Sequence, residues 1–234
     1  LGVLVERSED GSISLTQPGL IDRIISALGL DNANTKKTPA PLDPLGLDKE
    51  GDRFVDGFNY ASLIGMLLYL ANSSRPDIAY AVSQCARYTH RCTDLHGKYL
   101  KHIGRYLLLT RDKGMIVRPS EGSIEINCYV DADFTGLWKN SDVMDPHCVR
   151  SRTGYIIFVN NCAVIWKSKL QSLTSLSTIE SEYIALSDSC RDLLPVHDIV
   201  QELVNHLQLP NEKMSKISTT IHEDNEPCRR LANL

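Results

Sequence analysis

Between Ile124 and Asp133, apolar and polar residues alternate without a break: Ile124, Ile126, Cys128, Val130 and Ala132 against Glu125, Asn127, Tyr129, Asp131 and Asp133. A period of two fits an extended strand with one face on a core and the other toward water, so Asp131 and Asp133 leave the same face. The residues before this strand follow a different rule. Tyr60 to Asn72 is apolar nearly all round, Pro76 opens a second helical run, and a third follows at about Leu95 to Leu109. The chain of 234 residues therefore changes character near residue 120. We expect a mostly helical part, 1–120, followed by an α/β part, 121–234, whose mixed sheet carries flanking helices.

The first part opens with two short β-prone runs around Glu9-Asp10-Gly11, a hairpin signal, and then an amphipathic helix from Pro18 that Gly29 stops. From Asp31 to Asn59, three prolines and no sustained period predict a long, flexible surface connection. The run Leu63 to Ala71 falls far short of the ~20 apolar residues that cross a bilayer, and Leu1 begins no secretion signal. No membrane partner is expected. The net charge of −4 gives no global attraction to nucleic acid, so any such contact needs a local patch. One exists: Arg87, Arg91, Lys98, Lys101 and Arg105 fall in a stretch where Asp94 is the sole acid between Ser83 and Arg111. It reads either as a solvated helix face or as a surface that tracks phosphates.

Seven cysteines are an odd, scattered set in a chain long enough to bury a core without staples, so they are read as reduced thiols in an intracellular protein. Cys85, His90, Cys92 and His96 are zinc-ligand types, but no short Cys-x2-Cys knuckle is present. Buried cysteines and solvent-facing histidines are preferred.

In the second part, two β runs meet at Asn160-Asn161, which can supply the positive φ of a tight hairpin. A helix begins near Ser177, with Ile179, Tyr183, Leu186, Cys190 and Leu193 on one side, and Pro195 is expected to kink or split it. A last strand ends at Glu223-Asp224, before Pro227 and a helix start. Glu180 is assigned to capping from the third position after Ser177, which leaves Glu182 free. Parallel pairing of the first and last of these strands would bring Asp131 and Asp224 together, with Glu182 facing them. Three carboxylates so placed repel unless cations neutralise them, and Mg²⁺ with oxygen ligands is the natural choice. Two such ions ~4 Å apart activate a water and stabilise the leaving oxygen of a phosphodiester.

The ordered series Tyr129-Val-Asp-Ala-Asp-Phe134, Ser151-Arg-Thr-Gly-Tyr155, Trp166-Lys-Ser-Lys169, Leu176-Ser-Thr-Ile-Glu-Ser-Glu-Tyr-Ile-Ala-Leu186 and Asp224-Asn225 resembles the ribonuclease H domain of copia-type retrotransposon Pol polyproteins. Upstream, Tyr60-Ala-Ser-Leu-Ile-Gly65, Leu68-Tyr-Leu-Ala71 and Arg75-Pro-Asp-Ile-Ala-Tyr-Ala-Val-Ser83 resemble the segment that joins reverse transcriptase to that domain. The resemblance implies a ribonuclease H-like mixed β-sheet with flanking helices, preceded by a mostly helical reverse-transcriptase connection region. It implies metal-dependent hydrolysis of the RNA strand of RNA/DNA hybrids, with Asp131, Glu182 and Asp224 as catalytic and metal-binding residues and two Mg²⁺ (or Mn²⁺) ions. Asp133 matches a recurrent position of no established role.

The partners it implies are an RNA/DNA hybrid and the remainder of the Pol polyprotein, and the location is cytoplasmic, in a virus-like particle, or nuclear. Two departures from the family pattern stand out: no polymerase Tyr-x-Asp-Asp motif, and no fourth ribonuclease H carboxylate, which the family places downstream with a fifth strand and last helix. From these and from the ends of the chain we expect a segment of something longer, feeble or inactive alone. The polar stretch 139–151 reads as an insertion. The alternative to an enzyme is a catalytically dead nucleic-acid-binding remnant.

Overall fold

Asp10-Gly11 turns the chain back between β1 (Leu4–Arg7) and β2 (Ile13–Thr16), with Gly11 at φ 80° and the Asp10 carboxylate accepting from Ser12 N–H at 2.9 Å. In this computed structural model, residues 2–55, 57–120, 122–138, 145, 148–207 and 216–233 are described. The chain divides into two compact units between Val117 and Arg118. A third strand, β3 (Met115–Val117), pairs antiparallel with β2, so the opening hairpin is part of a three-stranded sheet. Three residues are too few for alternation to register, so no strand was expected there.

The helices of the first unit are α1 (Pro18–Ala27), α2 (Tyr60–Ser73), α3 (Ala79–Ala86) and α4 (Asp94–Leu109), with a 3₁₀ turn at Pro76–Ile78. Ile21, Ile24, Leu67, Leu70, Val82, Leu100 and Leu107 are fully shut from solvent in one shared core. Three expectations change here. Helix α2 is not buried all round: Leu68 and Tyr69 are exposed. Helix α3 stops at Ala86, so Arg91 lies beyond it in an irregular stretch. The segment 31–59 has no regular structure, yet it is more than a surface connection. Leu45 is 1% exposed, and Phe54 N–H bonds to the Cys92 carbonyl at 3.0 Å. The Thr93 hydroxyl donates to Asp48 at 2.7 Å and the Tyr99 hydroxyl to the Asp43 carbonyl at 2.7 Å. Isolated apolar residues joined to helices by such bonds carry no period, so pattern reading passes over them.

Arg75 is 1% exposed, and its guanidinium makes four hydrogen bonds. It reaches both Asp77 oxygens at 2.9 and 2.8 Å, the Thr110 carbonyl at 2.9 Å and the Thr110 hydroxyl at 2.7 Å. The Tyr106 hydroxyl completes the knot on Asp77 at 2.7 Å. The Arg75-Pro-Asp77 run thus ties the 3₁₀ turn to the end of α4, a structural role. The zinc-type set is structural as well: His96, expected to face solvent, is buried and accepts from Thr93 N–H at 2.9 Å, while His90 is exposed.

The second unit holds a four-stranded mixed sheet in the order β6-β5-β4-β7, where β4 is Ile124–Asp133, β5 Arg152–Val159, β6 Cys162–Leu170 and β7 Ile217–His222. The β5–β6 turn is made by Asn160 and Asn161 at φ 47° and 63°, the left-handed pair that a two-residue hairpin needs. Strand β4 runs antiparallel to β5 and parallel to β7, with Tyr129 opposite His222. Of the expected insertion 139–151, residues 139–144, 146 and 147 lie outside the described residues.

Helix α5 (Thr178–Leu207) covers the face of the sheet that carries Ile126, Cys128 and Val130. Its buried stripe follows the expected one only in part, with Leu193 in the core and Leu186 packed against it. Ser181, Ala185, Ser189 and Leu193 are buried, whereas Ile179 and Tyr183 are exposed. Small side chains let a helix approach a sheet closely, and hydropathy does not score that property. Pro195 lies inside α5 and does not split it. The last element is α6 (Glu226–Ala232), capped by the Asn225 side chain, which accepts from Cys228 N–H at 2.9 Å.

Arg75→Ala would leave the buried Thr110 hydroxyl and carbonyl without their guanidinium donors, while Asp77, at 36% exposure, regains water. The substitution should therefore cost the first unit ~1–3 kcal/mol in urea unfolding. A loss below about 1 kcal/mol, the range of a surface pair, would show that Arg75 does not hold the turn to α4.

Candidate metal centre

Two residues past the last β4–β7 pair, the parallel register sets Asp131 opposite Asp224. Asp131 lies inside β4, still paired with Gly154 of β5, whereas Asp224 lies two residues past the end of β7; both carboxylates are exposed. The first turns of α5 bring in the third acid. Ser177 accepts from Glu180 N–H at 3.1 Å, and Glu180 in turn accepts from Leu176 N–H at 2.7 Å, so Glu180 fixes the helix start. Glu182 then falls on the sheet-facing side and is 4% exposed. One oxygen from each of Asp131, Glu182 and Asp224 lies within 4.8 Å of the others. Among the described residues this is the one group of three or more such side chains close enough to hold a metal ion. Asp133, on the same strand face as Asp131, is exposed and outside the group.

The helix is held in place by ion pairs from the edge strand β6. Lys167 reaches Asp192 at 2.7 Å, the Tyr155 hydroxyl donates to the same carboxylate at 2.6 Å, and Lys169 reaches Asp188 at 3.0 Å. Gln171 donates to the Ser181 carbonyl at 2.9 Å, one residue before Glu182. The Tyr155 and Trp166–Lys169 motifs thus bind α5 to the sheet and do not join the acidic group.

Burial, then the charges of Glu223 and Asp131, push the Glu182 carboxyl up to about 7, against a bond from Ala132 N–H that favours its ionised form. Glu182 Oε2 is shut from solvent with no hydrogen-bond partner. A buried carboxylate oxygen without a donor, facing two further carboxylates, fits a hard cation with oxygen ligands. The site opens on a groove of about 440 Å³ lined by Tyr129, Asp131, His222, Glu223, Asp224 and Arg229. The Tyr129 and His222 rings stack there, 4.3 Å apart and 9° from parallel. Glu223 was recognised in the sequence only as part of an acidic strand end. Its charge is among those that raise the Glu182 carboxyl.

The basic residues belong to the first unit. Lys98, Lys101 and Arg105, at spacings of three and four, share one side of α4. Lys98 is exposed, Lys101 lies over the Phe58 ring at 5.7 Å, and Arg105 is half-buried. Lys36 joins them, its N–H bonding to the Arg105 carbonyl at 3.2 Å. Arg87 is half-buried against Gln84 and Tyr88, and Arg91 is exposed. Lys98 and Lys101 border an open groove of about 770 Å³, which Asp52 and Asp94 also line. No helix among the described residues is long and apolar enough to cross a membrane.

No protein-family model matches the chain, and no solved structure does. Known proteins do match it. The retrovirus-related Pol polyprotein from transposon RE2 of Arabidopsis thaliana is 29% identical over 210 residues, 90% of this chain and 14% of that protein. The corresponding polyprotein from transposon TNT 1-94 of Nicotiana tabacum is 29% identical over 88% of this chain and 15% of its own length. The putative transposon Ty5-1 protein of Saccharomyces cerevisiae is 31% identical over 82% of this chain and 60% of its own. The chain is thus similar to part of the Pol polyproteins of copia-type transposons. It spans about one-seventh of the length of the two polyproteins.

A carboxyl raised on folding stabilises the protein below its unfolded value and loses that contribution as pH climbs through the folded value. For Glu182, going from 4.5 to about 7, this amounts to ~3 kcal/mol at most. Without divalent cations the melting temperature of the second unit should therefore fall between pH 5 and 8. Added Mn²⁺ should restore it more at pH 8 than at pH 5, and Glu182→Gln should flatten both responses. Identical profiles for the two proteins in differential scanning calorimetry would contradict the placement of Glu182.

Proposed function

We propose that this chain carries the ribonuclease H function of a retrotransposon Pol polyprotein, the metal-dependent hydrolysis of the RNA strand of RNA/DNA hybrids. The observation that supports it is the convergence of Asp131, Glu182 and Asp224 at the ends of a parallel strand pair, in a relative of Pol polyproteins. In this reading, residues 121–234 form a ribonuclease H-like domain, and residues 1–120 correspond to the reverse-transcriptase connection region.

Asp131, Glu182 and Asp224 would hold Mg²⁺ or Mn²⁺, which supplies positive charge for the attacking water and for the leaving oxygen of the phosphodiester. The chain's own residues do the remaining work. Burial of Glu182 keeps one side of the site dry. The exposed Asp131 and Asp224 leave the other side open to a backbone phosphate. Recognition then depends on 2′-hydroxyls and backbone shape, with no base sequence read. The side of α4 with Lys98, Lys101 and Arg105 adds phosphate contacts, each of which releases counterions.

Incubation of the chain with a labelled RNA/DNA hybrid in Mn²⁺ should cleave the RNA strand, slowly as expected of a chain without the fourth carboxylate, and leave the DNA strand whole. Asp131→Asn should abolish cleavage without loss of fold. Hybrid binding with no cleavage under any divalent cation would identify a binding remnant instead. Replacing Lys98, Lys101 and Arg105 together by Ala should flatten the slope of log affinity against log salt by about two to three, close to one for each phosphate that a basic side chain no longer neutralises. An unchanged slope would remove this helix side from the binding surface.

A further inference from the structure

Five buried polar side chains meet beside Glu182. Ser151, Thr153, Gln171, Ser175 and Ser181 are each at most 3% exposed, and they come from the entry to β5, the link from β6 to α5 and the first turn of α5. Gln171 stands at their centre. Its backbone N–H donates to the Ser151 carbonyl at 2.9 Å, and its side-chain Nε2 donates to the Ser181 carbonyl at 2.9 Å and to the Thr153 hydroxyl at 3.2 Å. Ser151 Oγ lies 2.7 Å from Ser175 Oγ, which joins the link to the sheet at a second point.

Gln171 Oε1 is shut from solvent with no hydrogen-bond partner. Burying an acceptor without a donor is destabilising, and an apolar side chain of similar size would avoid that cost. Stability alone therefore gives no reason for an amide here. What the amide does is hold the first turn of α5.

The bonds of Gln171 close a ring around the acidic group. Thr153 pairs with Ala132 across the β4–β5 ladder, and Ala132 follows Asp131 in the chain. Ser181 precedes Glu182, whose carboxylate accepts from Ala132 N–H. One path from Gln171, through Thr153, thus reaches Asp131, and the other, through Ser181, reaches Glu182. The ion pairs of Lys169 and Lys167 grip α5 at Asp188 and Asp192, six and ten residues past Glu182. They hold the body of the helix, whereas Gln171 holds its first turn.

We propose that Gln171 is the positioning residue of the metal centre: its amide ties the first turn of α5 to β5 and so holds Glu182 against Asp131 and Asp224 at the separation that a shared cation needs. This rests on the metal-centre reading above, and it assigns Gln171 no contact with ion or substrate. A carboxylate already in place loses little freedom when the cation arrives. A loose one must be ordered at that moment, which weakens binding.

The test separates position from stability. Mn²⁺ would be titrated into the chain, Gln171→Leu, Thr153→Val and Tyr155→Phe, with free Mn²⁺ followed by electron paramagnetic resonance and melting in EDTA as the measure of each fold. Gln171→Leu removes both side-chain bonds and the orphaned oxygen, and Thr153→Val removes one bond with almost no change of shape. Gln171→Leu should weaken Mn²⁺ binding about tenfold, as expected when a group that orients a metal ligand is lost. Thr153→Val should weaken it by a smaller factor. Tyr155→Phe, which loses a bond to α5 at Asp192, should melt lower with its Mn²⁺ affinity unchanged. In cleavage of the labelled hybrid, Gln171→Leu should keep the parent KM for the hybrid and recover the parent rate at saturating Mn²⁺.

Parent Mn²⁺ affinity in both Gln171→Leu and Thr153→Val would overturn the proposal and leave the three-carboxylate centre standing. An equal loss of affinity in Tyr155→Phe would do the same, because the effect would then be one of general stability. If Gln171→Leu does not fold, Thr153→Val decides. No specific ion in the parent chain would remove the metal-centre reading itself, and the proposal with it.

Discussion

Three carboxylates with oxygens within 4.8 Å repel one another, and in the second unit the surrounding structure holds them there against that repulsion. The parallel β4–β7 register fixes two of them, and a shift by one residue would turn Asp131 or Asp224 to the opposite face. The third depends on α5, which Lys167 and Lys169 clamp to the sheet from strand β6. Ser181, Ala185 and Ser189 allow the helix close enough for Glu182 to be buried. Such crowding has no benefit for stability. It is coherent as a site that a cation completes.

The recurring sequence motifs divide by role once placed. The buried Arg75 joins Asp77 and Thr110, with Tyr106 on Asp77, and Tyr155 and Lys167 share the Asp192 carboxylate. These are polar networks with their partners in place, and they position helices. Asp131, Glu182 and Asp224 differ in kind, because Glu182 keeps a buried oxygen with no protein donor. That contrast separates residues that build the fold from residues that could hold a metal ion.

Much of this was legible in the sequence. Unbroken alternation over 124–133 is strand β4 to the residue, and the Asn160-Asn161 pair makes the β5–β6 hairpin through two positive φ angles. The convergence of Asp131, Glu182 and Asp224 needed one inference beyond pattern, a parallel pairing, and the sheet has it. What escaped had no period to read. Leu45 is a buried apolar residue in an irregular segment, and β3 is three residues long. The buried side of α5 is set by side-chain size, so its apolar residues Ile179 and Tyr183 pointed to the wrong stripe.

The central claim is that the acidic group is a cation site. Crystals of the chain grown with Mn²⁺ and measured at an energy above the manganese absorption edge would locate the ion directly. The account predicts an anomalous peak bounded by Asp131, Glu182 and Asp224, within about 2.0–2.5 Å of an oxygen from each, the range for hard cations with carboxylate ligands. A manganese peak elsewhere, with these three carboxylates free of metal or bonded to protein donors, would contradict it.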